Sequence, residues 1–222
     1  MLLAFDTSSA AVTVAVADPD TGEVLASSST QDALRHGELL APAIRTALAE
    51  AGVRPSDLTR IAVGAGPGPF TGLRVGLVTA RTMADLLAIE VVAVCSLDIL
   101  ALESAEAGPV AVATDARRKE IYWAVYDAPA ANGSRHRIEG PAVDRPAVVA
   151  HVLRGLPVVG RGAVLYADQL DNKIVASGPE YPSAAVLATG VLAGAFELRA
   201  PEPLYLRRPD VTVSSGPKSV LK

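Results

Sequence analysis

Asp6-Thr7-Ser8-Ser9 is the first place in the chain where residue types and spacing could do chemistry. A carboxylate and hydroxyls at the end of an apolar run can face a metal ion while backbone N–H groups meet a phosphate. The same side chains also bond their own backbone in ordinary tight turns. Asp6 is therefore a candidate nucleotide contact, with a plain turn as the alternative. A second stretch led by aspartate, Asp115-Ala116-Arg117-Arg118-Lys119, holds no glycine. Phosphate cradles need the close backbone approach that glycine permits. Gly160-Arg161-Gly162, after Val158-Val159, could be the remnant of an adenosine-binding turn or simply the turn that ends a strand.

Other chemistry is harder to build. His36, His136 and His151 are far apart, and Leu40 stands where a metal-binding helix starting at His36 would carry its second histidine. Cys95 is the single cysteine, so no internal disulfide forms. It follows Val91-Val92-Ala93-Val94 and reads as a buried, inert thiol. No pair of carboxylates is spaced as acid and base. No catalytic residue, no metal ligand and no cofactor is expected.

The segment Gly64–Gly76 is neither a P-loop nor a dinucleotide fingerprint, because no Gly-Lys-Ser/Thr closes it. It leads into a helix on which Gly72, Gly76, Ala80 and Ala84 recur every fourth residue. Such a stripe admits close approach by another element. Spacing alone leaves two readings, packing on the protein's own sheet or docking of a partner helix. Leu73, Leu77, Met83 and Leu87 leave that helix apolar around much of its circumference, so it must be covered twice.

These residues are positioned by a readable order of elements. Strands are expected at Leu2–Asp6, Ala11–Ala17 and Glu23 to about Ser29, the last after the turn Asp18–Gly22. Leu40, Ile44, Ala47, Leu48 and Ala51 share one helical face that Gly52 ends, and Pro42 leaves the start of that helix open by several residues. A strand at Arg60–Ala65, a helix from about Thr71 to Leu87, a strand at Val91–Cys95 and a helix capped by Ser96 follow. That order, βββαβαβα, implies a mixed five-stranded sheet of the ribonuclease-H-like kind.

Asp6 and Asp18 recur at one common offset as Asp115 and Asp127, each after a strand, which suggests a duplication. Beyond it a short helix Pro146–Leu153, a strand Pro157–Gly160 and a helix Ser183–Leu198 are expected. The predicted fold is thus α/β, two ribonuclease-H-like lobes of the actin-like ATPase superfamily with the second reduced. The expected division is 1–107, 108–213 and a flexible tail 214–222, where Ser214-Ser215-Gly216-Pro217 lies.

Bulk properties exclude some classes. The 222 residues carry a net charge of −4, and the longest basic runs are Arg117-Arg118-Lys119 and Arg207-Arg208, read as solvated bends. A protein gripping RNA unaided needs a basic face, so autonomous nucleic-acid binding is not expected. No basic stretch precedes the first apolar run, which Asp6 interrupts, and no apolar run reaches the eighteen or so residues of a membrane span. A cytoplasmic protein is expected.

Several of these stretches together resemble the TsaB (YeaZ) family. They are Leu3-Ala4-Phe5-Asp6-Thr7-Ser8, His36-Gly37-Glu38 with Leu39-Leu40 and Pro42, Gly66 to Gly76, Asp115 to Glu120 with Tyr122, and Pro203-Leu204-Tyr205-Leu206-Arg207. The resemblance implies a non-catalytic accessory subunit that pairs with TsaD through its first-lobe helices, with TsaE as a third, ATP-binding component. The complex would form N6-threonylcarbamoyladenosine at position 37 of ANN-reading tRNAs, and tRNA would be met only through the complex. TsaD would supply the two-histidine metal site that His36 and Leu40 do not form. The resemblance also favours the partner reading of the stripe and places His36, Leu40, Ile44, Gly72, Leu73, Gly76 and Ala80 at or under the interface, which could serve a homodimer when TsaD is absent. Gly76→Leu is then expected to fold normally and lose the partner. A small-metabolite kinase on the same fold is the enzymatic alternative, and a metallopeptidase is disfavoured by the missing histidine pair.

Overall fold

A computed structural model describes residues 1–170 and 178–207; the expected tail at 214–222 lies outside them. The first sheet holds β1 (Leu2–Asp6), β2 (Ala11–Ala17), β3 (Val24–Gln31), β4 (Arg60–Gly64) and β5 (Glu90–Val94), in the order β3-β2-β1-β4-β5. The first three strands are antiparallel, while β4 and β5 run parallel to β1 because helices return the chain. Strands β1 and β2 are buried along their whole length, as a sheet covered on both faces requires.

Alternation along β1 sends Leu3 and Phe5 to one face and Leu2 and Ala4 to the other. The Leu3 face is covered by α1 (His36–Glu50) and α2 (Phe70–Leu87). Pro42 falls inside α1, which starts at His36. Each helix places every third or fourth apolar residue on the sheet: Leu40, Ile44 and Leu48 from α1, Leu73, Leu77 and Ala80 from α2.

α3 (Ser96–Glu103) leads into a second sheet of β6 (Val110–Asp115), β7 (Ile121–Tyr126), β8 (Arg137–Asp144) and β9 (Val158–Val159), ordered β8-β7-β6-β9. Among the described residues this repeats β3-β2-β1-β4 without a fifth strand, so the lobe is a reduced copy of the first. α4 (Pro146–Leu153), α5 (Arg161–Leu165) and α6 (Ala167–Leu170) cover the face carrying Ala113, Ile121 and Trp123.

The helices do not respect a cut at 107/108. α3 packs Leu97 and Leu100 against Val112 and Tyr126 of the second sheet. α7 (Ala184–Leu192), from the second half, packs Leu187, Ala188 and Val191 under Leu2, Ala4 and Val92 of the first. It ends at Leu192, six residues before the expected Leu198, and Gly194 just beyond holds a φ of +65° that suits glycine. The chain then pairs Arg199 with Ala93 at the sheet edge and bonds Leu204 N–H to Ala65 O at 2.8 Å, carrying Leu204 and Leu206 to the second core.

Candidate functional site

The side chains of the turn after β1 are engaged by the chain itself. Asp6 is buried, and its Oδ1 accepts from Ser8 N–H at 2.7 Å and Ser8 Oγ at 2.8 Å. Its Oδ2 accepts from Ser96 Oγ at 2.5 Å, and Ser96 Oγ in turn accepts from Gly66 N–H at 3.1 Å. Ser96 thus spans two loops and does not cap α3 as expected; Cys95 holds the cap position without a side-chain bond. Thr7 Oγ1 donates to Gly72 O at 2.8 Å and accepts from Gly76 N–H at 3.1 Å. His36 Nε2 donates to Ser9 O at 2.7 Å. The Asp6 carboxyl, the Thr7 and Ser8 hydroxyls and the Ser8 N–H thus already have partners within the chain.

Burial raises the Asp6 carboxyl above its usual 3.8, and the bonds from Ser96 and Ser8 pull it back. A carboxyl with a raised folded pKa favours the folded state most in acid, and that contribution is lost as pH rises from 3.8 through the raised value. Asp6→Asn is expected to flatten the fall in stability above pH 3.8, as urea midpoints at a series of pH values would show.

The second hairpin repeats the first in outline. Asp115 Oδ1 accepts from Arg117 N–H two residues on at 2.9 Å, as Asp6 does from Ser8. Between the hairpins lies a cavity of about 200 Å³ lined by Ser9, Pro69, Thr114, Asp115, Arg161 and Glu180. Small-molecule sites are generally about 300–1,000 Å³. Arg161 and Glu180 form an ion pair at 2.9 Å on its wall. The Gly160-Arg161-Gly162 turn serves β6, since a Cβ on Gly160 would meet Ala113 O at 2.3 Å and one on Gly162 the Ala113 carbonyl at 2.9 Å. Among the described residues no group of three or more His, Cys, Asp or Glu could hold a metal ion, and no helix is long and apolar enough to cross a membrane. Cys95 is buried, and desolvation pushes its thiol up to about 12, which leaves it protonated.

The small-residue stripe faces inward. A Cβ on Gly72 would lie 2.6 Å from Thr7 O, and one on Gly76 would lie 2.5 Å from Thr7 Oγ1. Ala80 and Leu73 are fully buried, and Leu40 and Ile44 are nearly so. His36 is likewise buried. His36, Leu40, Gly72, Leu73, Gly76 and Ala80, expected at or under the partner surface, form the layer under the α1–α2 surface. Only Ile44 also lines what lies above, an apolar groove of about 480 Å³ with Ala41, Leu48, Ala49, Thr79 and Met83. Sequence reasoning missed Ala41, Ala49 and Thr79, because small residues on an outer helix face carry no pattern of their own.

Residues 23–161 match the family described as TsaD: tRNA N6-adenosine threonylcarbamoyltransferase. The solved YeaZ of Pseudomonas aeruginosa superimposes with a TM-score of 0.75 at 33% identity, covering 92% of this chain and 99% of that one. The chain belongs to the TsaB/YeaZ-like family. The tRNA threonylcarbamoyladenosine biosynthesis protein TsaB of Bacillus subtilis is 36% identical over 126 residues, 56% of this chain and 54% of that protein. An uncharacterised Mycobacterium leprae protein is 39% identical over 216 residues, 95% of this chain, which spans 55% of that relative's length. The family's sequence stretches converge in the structure. Tyr205 of the closing segment reaches Arg74 in α2, and Arg207 pairs with Glu120 and donates to Ala116 O at 3.2 Å in the second hairpin.

Proposed function

We propose that this chain is a non-catalytic partner of a TsaD-type threonylcarbamoyltransferase, acting in the formation of N6-threonylcarbamoyladenosine at position 37 of ANN-reading tRNAs. The observation that carries the proposal is the closed turn at Asp6: its carboxylate and hydroxyls are spent on the chain's own loops. An ATP-using relative of this fold would need those groups for the nucleotide, so the kinase alternative lacks its site. The exposed groove between α1 and α2 supports a partner role, since an apolar surface of this kind on an acidic protein favours coverage by another chain. The same face would hold TsaD in the complex and a second copy in its absence. TsaE would join as the ATP-binding component, and the assembly would be cytoplasmic.

The test is omission from a reconstituted modification reaction containing TsaD, TsaE, the adenylate-forming enzyme and substrate tRNA. Product formed over many turnovers is expected only when this chain is present, and none from this chain alone. Undiminished product without it would overturn the reading, and ATP-dependent phosphotransfer by the pure chain would replace it with the kinase.

A further inference from the structure

The two sheets end on strands β3, β5, β8 and β9, and three of these edges are protected. β8 carries Arg137, Glu139 and Pro141 and pairs with β7 through register shifts. β9 is two residues long, and β5 is bridged at Ala93 by Arg199. Charge, proline, irregular pairing, shortness and cover are the means by which proteins keep an edge from recruiting another strand. β3 has none of them. Its eight residues include no charge and no proline, and from Ala26 to Gln31 it pairs with β2 without a shift. Among the described residues nothing bonds the outer N–H and C=O groups of this strand. Beside the edge runs a groove of about 450 Å³, lined by Ser27, Ser29, Gln31, Glu103, Tyr181 and Ser183. Ser27, Ser29 and Gln31 share one face of β3 and are exposed. The far wall is tied to β2 by Thr13, whose Oγ1 donates to Pro182 O at 3.0 Å. The free charges here are acidic. Glu103 in the groove, and Asp20 and Glu23 before the strand, are exposed and have no ion-pair partner among the described residues. The cations nearby, Arg35 and Arg161, already hold Asp32 and Glu180.

We infer that β3 takes up an extended basic segment of a partner protein as a sixth strand, whose lysine or arginine side chains lie in the groove toward Glu103. Strand addition draws affinity from main-chain hydrogen bonds and specificity from alternate side chains. The serines on the groove face of β3 are short, so every second residue of the added strand has room for a long stem. An acidic segment would be repelled by Asp20, Glu23 and Glu103. A second copy of β3 fits poorly, because it brings no cation to Glu103. Antiparallel pairing of two copies over Val24–Gln31 would also set Glu23 opposite Asp32 at both ends, and like charges directly opposite are destabilising. The strand is legible in the sequence and the groove is not. Glu103 and Tyr181 reach it only because α3 and α7 pack together under the sheet.

The probe is a fluorescein-labelled peptide alternating lysine and valine over about eight residues, the length of β3. The purified full chain is expected to bind it saturably below about 1 mM. The same peptide N-methylated throughout keeps its charge and loses its backbone donors, and it should bind at least about tenfold more weakly. Ser27→Lys with Ser29→Lys should weaken binding as much, with the melting temperature unchanged because both positions are exposed. Glu103→Gln should cost about two- to fivefold, as an exposed ion pair does. Equal binding of the N-methylated peptide would reduce the effect to charge attraction and overturn the inference. Unchanged binding by the double lysine variant, or no binding at millimolar peptide, overturns it too. A natural chain that ignores the peptide and forms a dimer by light scattering, lost in the double lysine variant, overturns it by giving the edge to a second copy. None of these results bears on the omission test, which reads the TsaD partnership separately.

Discussion

Gly76→Leu is expected to unfold the chain. The first added carbon would lie 2.5 Å from Thr7 Oγ1, and the rest of the side chain would be driven toward Val63 of β4. Thr7 cannot simply turn away, because that oxygen accepts from Gly76 N–H and donates to Gly72 O. Overpacking a close-packed core costs about 1–3 kcal/mol, and stranding buried hydrogen-bonding groups costs about 1–3 kcal/mol more. Together these come to about 2–6 kcal/mol, a large share of the roughly 5–15 kcal/mol by which folded domains are stable. A circular-dichroism melt is expected to show a midpoint lower by about 10 °C or more, or no folded baseline. Gly72→Ala should act in the same direction, since its Cβ would meet a backbone carbonyl at 2.6 Å. A Gly76→Leu chain that melts like the natural one would mean that α2 is rotated about its axis from the position described.

That expectation reverses the one drawn from the sequence, and the reason marks the limit of periodicity. Gly72, Gly76, Ala80 and Ala84 share a face at a spacing of four, which requires only that something approach closely. Spacing does not say whether the neighbour is a partner or the chain's own β1 turn. The strands β1 to β3 were legible because turn residues at 7–10 and 18–22 punctuate continuous apolar runs. β8 was not, because Gly140-Pro141 interrupts Arg137–Asp144 and none of its residues is buried. It is an edge strand, where proline is tolerated and an apolar pattern is not enforced.

The candidate site divides along the same line. Asp6 was singled out by type, and the sequence left it between nucleotide contact and turn. The partner that decides for the turn, Ser96, lies ninety residues on, and its Oγ reaches Asp6 only because β1, β4 and β5 are adjacent in the sheet. The exchange of α3 and α7 between the sheets was hidden for a related reason. Both helices are apolar on nearly every side, so their residues do not point to the sheet they will cover. Local order is written in neighbouring residues, whereas these pairings depend on which surfaces remain uncovered once the sheets have formed.

The outward face of α1 and α2 supplies the converse of Gly76. Ala49→Arg combined with Met83→Glu is expected to leave the fold intact and abolish partner binding. Ala49 is exposed and Met83 half-buried on the groove wall, so neither new charge enters the monomer's core. Once a partner covers the groove, each charge would be stripped of water. Burying a charge without a partner costs about 3–5 kcal/mol, and every 1.4 kcal/mol is about tenfold in affinity. At least a hundredfold loss toward TsaD is therefore expected by calorimetry, with the melting midpoint moved by no more than about 2 °C. If the natural chain forms the proposed homodimer, light scattering should find the double variant monomeric at the same concentrations. Retention of both associations would remove the α1–α2 groove as the partner surface without touching the reading of the closed turn. Loss of one alone would show that the homodimer and the TsaD complex use different faces.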